Sequence, residues 1–358
     1  MQKALAAVFT GHGDPFRLEE FPIPAPGTGE TLVKITCSTI CGSDMHTWHG
    51  RRQEPTPCVL GHEIVGTIAA FGPGSPRLDL RGEPLTEGDR ITWTLAASCG
   101  ECFFCKRGLP QKCEHLFKYG HSAIAPGREF SGGFAEYCLL TAGTGIIKLR
   151  AELSDALAAP ANCAVATVAA ATRISGNLEG QIVSVLGCGV LGLAACAMAS
   201  EQGAAAIIAC DVDPFREATA RRFGATHFHT PDTLREGIAT TSHGRGADIS
   251  IELSGANTAV SAAIDNLRIG GTAVIAGAAA PCGCISLDPQ MLVRRMVSIH
   301  GLHNYAPNDL VSAVGFLEQI QGKFPFSDLA GENFALTRID EAFSSSGKRP
   351  GVRTAITP

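Results

Sequence analysis

The sequence lacks any strong concentration of charge. It contains no run of five or more residues of like sign, and its formal net charge is only −5. Proteins that bind nucleic acid through an arm or patch usually show such a run or a strongly basic balance, whereas the pI here is about 6.1. We therefore expect no nucleic-acid partner.

Long uninterrupted apolar segments are also missing. Near the N-terminus, Gly11, His12 and Asp14 interrupt the stretch that a secretory signal would keep apolar, so the expected location is the cytoplasm. The most apolar segment, 183–199, falls short of the roughly 20 residues that cross a bilayer and carries three glycines. This segment predicts a buried strand followed by a buried helix, and no membrane partner is expected.

Cysteine, by contrast, is abundant, with 14 cysteines among 358 residues. Because no signal peptide is expected, these thiols should stay reduced and serve as metal ligands or as small buried side chains rather than form disulfides. The remaining composition is that of a globular protein, with 45% hydrophobic and 18% charged residues. The length suits about two domains.

The residue pattern changes near position 164. Before it, short β-type runs separated by turn residues predict strands at 31–36, 64–71 and 90–95. After it, apolar runs alternate with Ala-rich stretches, which predicts strands at 182–186, 206–210, 249–253 and 272–275 and helices at 190–202 and 214–223. The last fifty residues predict a helix at 309–321 and a strand at 352–356. This alternation is typical of βαβ units, so the predicted fold class is α/β, with a mainly-β domain followed by a doubly wound parallel sheet.

A glycine-rich turn follows the strand at 182–186. Gly187, Gly189 and Gly192 have the G-x-G-x-x-G spacing at the start of a helix, where free backbone N–H groups can bind a pyrophosphate. Asp211 ends the next strand, at the distance expected for an acid that binds the adenosine ribose. Its charge would repel a 2′-phosphate, which favours NAD, although Arg216 nearby can tolerate phosphate.

Four cysteines lie close together in the segment SCGECFFCKRGLPQKC. Cys99, Cys102, Cys105 and Cys113 have C-x2-C-x2-C-x7-C spacing, and charged neighbours mark the segment as an exposed loop. Four thiolates can close a tetrahedral shell around a structural zinc, in a lobe at about 95–115. Iron–sulfur clusters use similar spacings, so that alternative stays open on the residues alone.

A second metal constellation carries a resemblance to a known family. The segments ICGSDMHTWHG at 40–50 and GHE at 61–63 precede the four-cysteine lobe and the glycine turn. Taken singly, Cys41 suits a buried thiol and His62 a core histidine. Taken together, the pieces resemble the zinc-containing alcohol dehydrogenases of the medium-chain dehydrogenase/reductase superfamily, over essentially the whole chain. The resemblance implies a GroES-like catalytic domain at 1–163 and 304–358, a Rossmann NAD-binding domain at 164–303, and a homodimer or homotetramer.

The resemblance assigns a catalytic zinc to Cys41, His62 and Cys163. Glu63 matches a glutamate that lies near this metal or binds it transiently, and Asp44 matches an acid close to the metal. Two thiolates and one imidazole leave a fourth position of Zn²⁺ open for an alcohol oxygen. Two zinc ions per chain are therefore expected, one catalytic and one structural.

The resemblance also implies how a proton and the cofactor are handled. Ser43 matches the hydroxyl that takes the substrate proton, and His49 matches the histidine that passes it to water. Thr167 and Leu191 match residues that contact the nicotinamide, and Arg353 matches one that contacts the pyrophosphate. The implied reaction moves a hydride between a small alcohol and NAD, giving an aldehyde or a ketone.

Several stretches resemble one branch of the family that is associated with phosphonate catabolism: GLPQKC at 108–113, KYGH at 118–121, SGGFAEYCLL at 131–140 and GLHNY at 301–305. This narrower resemblance implies a hydroxyalkylphosphonate substrate and makes candidate anion contacts of Lys118, His121, Arg128 and His303.

Other functions are weighed against this one. Polyol, threonine-type and terpenoid-alcohol dehydrogenases with the same zinc stay open, because fold and motif do not choose among substrates. A zinc-free quinone reductase would lack the three metal ligands. A catalytically silent NAD-binding protein would be expected to have lost at least one of Cys41, Ser43, His62 and Cys163, and all four are present.

Overall fold

The computed structural model describes residues 2–348 and 351–358, which form two compact units. The first unit comprises Met1–Ala166, Ala306–Gln321 and Phe326–Pro358, and the second comprises Thr167–Tyr305 and Gly322–Pro325. The domain bounds drawn from the sequence, 1–163 with 304–358 and 164–303, stay a prediction.

The first unit is built mainly of strands. In chain order its strands before the second unit are β1 (Lys3–Phe9), β2 (Arg17–Pro22), β3 (Thr31–Thr39), β4 (Cys58–Val59), β5 (Glu63–Phe71), β6 (Arg90–Trp93), β7 (Ala96–Ala97), β8 (Phe117–Lys118), β9 (Tyr137–Leu140) and β10 (Ile146–Lys148). Two short helices accompany them, α1 (Gly42–Trp48) and α2 (Asp155–Ala158), and α3 (Ala164–Ser175) leads from the first unit into the second.

The second unit is a parallel sheet with helices in the connections. Its strands are β11 (Ile182–Leu186), β12 (Ala206–Cys210), β13 (His227–His229), β14 (Ala247–Glu252), β15 (Leu267–Ile275) and β16 (Ser298–Gly301). Its helices are α4 (Val190–Glu201), α5 (Glu217–Arg222), α6 (Leu234–Thr241), α7 (Asn257–Asp265) and α8 (Pro289–Arg295). The strand order is β13-β12-β11-β14-β15-β16, so the order in which the chain adds strands reverses between β11 and β14. In parallel sheets of this kind, ligands bind at the carboxyl ends of the strands at that point.

The chain then returns to the first unit through α9 (Pro307–Gln319), β17 (Ala330–Ala335), α10 (Ile339–Ser345) and β18 (Arg353–Thr357). β18 pairs antiparallel with β3 and so joins the sheet β10-β6-β5-β3-β18-β17. The pairing sets Ala355 opposite Thr39, which brings the last strand beside the end of β3. Residues from the two ends of the sequence thus meet in one sheet.

The core of the first unit is rich in aromatic side chains, although the chain as a whole has few. Trp93, Tyr119, Phe130, Phe134 and Phe343 are all fully buried there. The hydroxyl of Tyr119 lies 2.5 Å from Oγ1 of Thr144, so its polar end is satisfied inside the core. Phe134 also lies against Gly61, where a Cβ would come within 2.9 Å of its ring.

The predicted α/β fold class is confirmed, and the predicted strands at 182–186 and 206–210 have the bounds observed for β11 and β12. The prediction of one helix over 214–223 is wrong in detail. A 3-10 turn at Pro214–Arg216 precedes α5, with Asp213 capping it by accepting from the N–H of Phe215. Strands shorter than four residues, such as β13, carried too little pattern to be predicted.

Among the described residues, no single helix is long and apolar enough to cross a membrane. The segments Asp155–Asn162 and Ala164–Ser175 reach the necessary length only as a pair bent by 49°.

Candidate functional site

Three separate chain segments bring Cys41, His62 and Cys163 together. Cys41 follows β3 and caps the N-terminus of α1, and His62 immediately precedes β5. β3 and β5 are antiparallel neighbours with Thr39 opposite Glu63, so both residues lie at the same end of this strand pair. Cys163 follows a 3-10 turn at Ala159–Asn162. The ligand atoms of the three side chains all lie within 4.8 Å of one another.

The spacing of these atoms suits a zinc ion. The Sγ atoms of Cys41 and Cys163 are 4.0 Å apart, against about 3.8 Å for two sulfurs on a tetrahedral Zn²⁺ with bonds of about 2.3 Å. Hydrogen bonding to Cys163 lowers the pKa of the Cys41 thiol well below its usual value and raises that of Cys163. One thiol of the pair is therefore already prone to lose its proton, as metal binding requires.

The imidazole of His62 is held from both sides. Its Nδ1 lies 3.3 Å from Oδ1 of Asp44, and its Nε2 lies 3.3 Å from Oγ of Ser43. Burial has the largest single effect and lowers the pKa of His62, but the charges and hydrogen bonds of Asp44 and Cys41 together outweigh it and raise the pKa to about 10. Asp44 also accepts from the N–H of Cys41 at 2.9 Å. Asp44 thus constrains the orientation of the His62 ring.

A buried ion pair lies directly beside the cysteine and histidine ligands. The guanidinium of Arg353 donates to both carboxylate oxygens of Glu63, from Nε at 2.9 Å and from Nη2 at 3.0 Å. Thr39 donates to the same carboxylate at 2.6 Å, and Nη2 of Arg353 lies 3.7 Å from Sγ of Cys41. Burial raises the pKa of Glu63 to about 7 although Arg353 opposes the change. The position of Arg353 beside Glu63 was not foreseen, and its contact with a pyrophosphate stays a prediction.

The four cysteines of the exposed loop form a second cluster. The ligand atoms of Cys99, Cys102, Cys105 and Cys113 lie within 4.8 Å of one another, with Sγ of Cys113 3.4 Å from that of Cys99 and 3.8 Å from that of Cys102. Backbone N–H groups of Cys99 and His115 point at the sulfur of Cys113, each at 3.3 Å. Four sulfurs at these distances complete a tetrahedral shell and leave no position for a substrate.

The glycine turn of the second unit has room for a phosphate. Gly187 has φ of +97°, and a Cβ on it would come within 2.8 Å of the N–H nitrogen of Ser254. A Cβ on Gly192 would come within 1.8 Å of the carbonyl oxygen of Gly187, so only glycine permits this close approach of α4. At Gly189, the N-cap of α4, a Cβ would meet only Arg216 Nη1, at 4.0 Å. The helix N-terminus is therefore open to an anion.

Asp211 is already engaged by its surroundings. Its carboxylate accepts from the N–H of Cys188 at 2.7 Å, from the N–H of Asp213 at 3.1 Å and from Nη1 of Arg216 at 3.1 Å. An acid that suits ribose hydroxyls and an arginine that suits a phosphate thus lie together at the end of β12. Leu191 lies in the first turn of α4, and Thr167 lies in α3; both are half-buried.

His49 lies at the opposite end of α1 from Ser43. It is exposed and lines a cavity of about 540 Å³ with His12, Trp48 and Asp340. His49 is six positions after Ser43, a rise of about 9 Å along a helix, so the two side chains do not pass a proton directly. The predicted relay therefore needs a hydroxyl group or water between them.

The predicted anion contacts occupy different surroundings. The ring of His121 packs edge-on against His62 with centroids 4.9 Å apart, and Lys118 is three residues before it. Arg128 is instead paired with Glu30 at 2.9 Å. His303 belongs to the second unit.

Comparisons with known protein families agree with this geometry. The family model described as "Alcohol dehydrogenase GroES-like domain" matches residues 27–151. The model described as "Zinc-binding dehydrogenase" matches residues 190–319.

Individual relatives are similar over most or all of the chain. L-threonine 3-dehydrogenase of Francisella tularensis subsp. novicida (strain U112) is 30% identical over 303 residues, 80% of each chain. The crystal structure of an alcohol dehydrogenase from Thermotoga maritima superposes with a TM-score of 0.91 at 27% identity and covers 100% of both chains. The structure of benzyl alcohol dehydrogenase from Acinetobacter calcoaceticus has a TM-score of 0.86 at 27% identity and covers 100% of this chain and 99% of that one.

Proposed function

The chain belongs to the zinc-dependent alcohol dehydrogenases of the medium-chain dehydrogenase/reductase superfamily, and from that premise we propose that it oxidises a small alcohol with NAD through Ser43, His49 and the residues around Cys41, His62 and Cys163. The enzyme is a zinc-dependent dehydrogenase that acts on CH–OH groups with NAD(P), and its four-cysteine cluster is a structural zinc site rather than an iron–sulfur centre.

The observation that carries this proposal is the convergence of three ligand side chains in the catalytic cluster, with no fourth in that group among the described residues. Three ligands leave one tetrahedral position for a substrate oxygen, in contrast to the closed four-cysteine shell. Zinc bound there supplies Lewis-acid chemistry, which lowers the pKa of an alcohol oxygen. Asp44 supports this role by orienting His62. The Arg353–Glu63 pair lies beside Cys41, where its positive end stabilises thiolate charge.

We propose that Ser43 receives the proton of the alcohol. Its hydroxyl lies 3.3 Å from Nε2 of His62, which supports a position beside the catalytic cluster. A hydroxyl can accept one proton while it donates its own, and His49 at the far end of α1 is exposed to solvent. We propose that the proton travels from the alcohol through Ser43 and an intervening hydroxyl or water to His49.

Replacing Ser43 by alanine should lower kcat for alcohol oxidation by about 100-fold, because proton transfer by a positioned group contributes about that much or more. The defect should shrink as the pH rises, since hydroxide can then accept the proton. Steady-state rates of NADH formation against pH measure this. Ser312→Ala, on the exposed face of α9, is the matched control. An unchanged kcat in a chemistry-limited assay would remove Ser43 from the relay.

For the cofactor we propose a preference for NAD over NADP. The carboxylate of Asp211 is the group that would accept ribose hydroxyls and repel a 2′-phosphate. Arg216 weakens the preference, because it lies against Asp211 and close to the glycine turn.

Asp211→Asn should therefore narrow the gap between NADH and NADPH affinity by about tenfold, since it removes one like-charge contact with the 2′-phosphate. Asparagine keeps an oxygen that can accept from the N–H of Cys188, so the turn is retained. Fluorescence titration with each reduced cofactor measures the two dissociation constants. Asp213→Asn, two residues away, is the control. Equal affinities of the parent protein for NADH and NADPH would refute the proposed role.

The substrate that we propose is a small alcohol, with a hydroxyalkylphosphonate as the first candidate. A threonine-type substrate is the second candidate, because threonine 3-dehydrogenase is similar over 80% of the chain. Polyols and terpenoid alcohols are further members of the test set. A panel of these alcohols, assayed for zinc-dependent NADH formation, tests the function. Failure of every alcohol to reduce NAD would contradict it.

We also propose that the enzyme acts as a homodimer or homotetramer. The edge strand β16 of the second unit is exposed over all four residues. Large apolar side chains are exposed on it and on the nearby chain: Ile285, Leu287, Val293, Met296 and Ile299. An exposed apolar sheet edge is a favourable surface for pairing with a second copy.

A further inference from the structure

The turn formed by residues 118–121 is built onto the catalytic cluster. Gly120 approaches Gly61 so closely that a Cβ at position 120 would lie 2.4 Å from the carbonyl oxygen of Gly61, the residue before His62. The N–H of His121 donates to the carbonyl of Lys118 at 3.3 Å, which closes the turn. With the ring of His121 on that of His62, the turn is held firmly beside the catalytic metal ligands.

Lys118 places a cation beside this turn. Its side chain is half-buried, and among the described residues its ammonium makes neither a hydrogen bond nor an ion pair. Burial lowers the pKa of Lys118 to about 8, and the nearby charge of Arg52 adds to the effect. The negative charges of Cys163, Glu54 and Cys41 oppose these effects on the pKa of Lys118. At pH 7 it is still mostly protonated.

The neighbouring charges are already paired with each other. The backbone N–H of Arg52 donates to the carbonyl of His46 in α1. The guanidinium Nη2 of Arg52 lies 2.6 Å from Oε1 of Glu54. Glu54 is mostly buried, so this pair is close to neutral as a unit. Nδ1 of His121 is shielded from solvent and has no hydrogen-bond partner among the described residues. A buried polar atom without a partner is costly unless a ligand satisfies it.

We propose that Lys118 and His121 form an anion-binding subsite for the substrate, so that the alcohol carries a carboxylate or a phosphonate near its hydroxyl group. Lys118 supplies the charge, Nδ1 of His121 supplies a hydrogen bond, and the Arg52–Glu54 pair borders the subsite. This inference rests on the proposed function and narrows its substrate class. Arg128 has no part in it, because Glu30 already holds its guanidinium.

The test compares three alcohols of similar size with the zinc-loaded enzyme: 2-hydroxyethylphosphonate, 3-hydroxypropanoate and 1-propanol. We expect kcat/KM for at least one anionic alcohol to exceed that for 1-propanol by about tenfold or more, since charge-assisted hydrogen bonds are worth that much. Lys118→Met should reduce this ratio toward one, chiefly through KM, and Lys118→Arg should restore most of it. Arg128→Met, the matched loss of a cation, should leave the ratio unchanged. The values of kcat/KM for 2-hydroxyethylphosphonate and 3-hydroxypropanoate show which anion is preferred.

Calorimetric titration with methylphosphonate and with acetate provides a readout without turnover. Binding of one of them to the parent, weakened about tenfold by Lys118→Met and not by Arg128→Met, would support the subsite even if Lys118→Met were poorly active. A parent enzyme that oxidises 1-propanol as well as either anion, or a preference that survives in Lys118→Met, would overturn the inference alone. Lys118-dependent anion binding without oxidation of any alcohol would instead overturn the proposed function.

Discussion

Cys163→Ser is expected to abolish NAD-dependent alcohol oxidation, with a fall in kcat/KM of at least about 1000-fold. The reason is that loss of one of the three ligands should release the catalytic metal, and Lewis-acid stabilisation by such a metal is worth several kcal/mol of the barrier. Cys163 lies in a turn between Asn162 and α3, where serine fits the same backbone, so the fold should survive. Steady-state NADH formation measures the loss, and circular dichroism checks the fold.

Cys284→Ser is the matched control for this change. Cys284 is exposed and belongs to neither cysteine cluster, so its loss should leave kcat/KM within about twofold, as for a surface change away from the site. A Cys163→Ser enzyme that keeps most of its activity would show that the catalytic metal, if bound, has a different ligand set. Equal losses in both variants would point to general thiol sensitivity instead.

Cys113→Ser is expected to act on stability rather than on chemistry. The sulfur of Cys113 contacts the sulfurs of Cys99 and Cys102 and receives two backbone N–H groups, so its replacement should release the structural zinc. Because binding free energy of a structural zinc is folding free energy, the melting temperature should fall by about 5 °C or more. Thermal unfolding followed by fluorescence measures the shift.

Limited proteolysis locates the same effect. Cleavage within the loop that spans Cys99 and Cys113 should appear in the variant and be absent from the parent, since the lobe depends on its metal for order. Cys105 is also a ligand of this cluster, and Cys105→Ser should behave in the same way. A Cys113→Ser protein with parental melting temperature and parental proteolysis would contradict a structural role for the cluster.

The features that the sequence predicted are those determined by residues close to one another in the chain. The spacing of Gly187, Gly189 and Gly192 after an apolar strand determines a tight turn with close helix packing, and both properties depend on neighbours within a few residues. The four-cysteine lobe is local for the same reason. Cys163 was identified only through the family resemblance, because PANC contains no spacing that connects it to His62.

The features that the sequence did not predict depend on distant pairing. Arg353 meets Glu63 across 290 positions, because β18 returns beside β3. No local pattern marks that contact. The buried ring of His121 on His62 likewise depends on the close approach of Gly120 to Gly61, which requires that both positions lack a Cβ. Arg128 is paired with Glu30, whereas Lys118 forms no ion pair among the described residues. This difference depends on which acids lie near each side chain, and the sequence does not show that.

Metal analysis of protein purified without chelators tests directly whether one cysteine cluster binds a catalytic zinc and the other a structural zinc. We predict about two zinc ions per chain in the parent and about one in each of Cys163→Ser and Cys113→Ser, with alcohol oxidation retained only where the catalytic cluster is intact. A parent with a single zinc that Cys163→Ser retains and Cys113→Ser loses would contradict a metal at Cys41, His62 and Cys163.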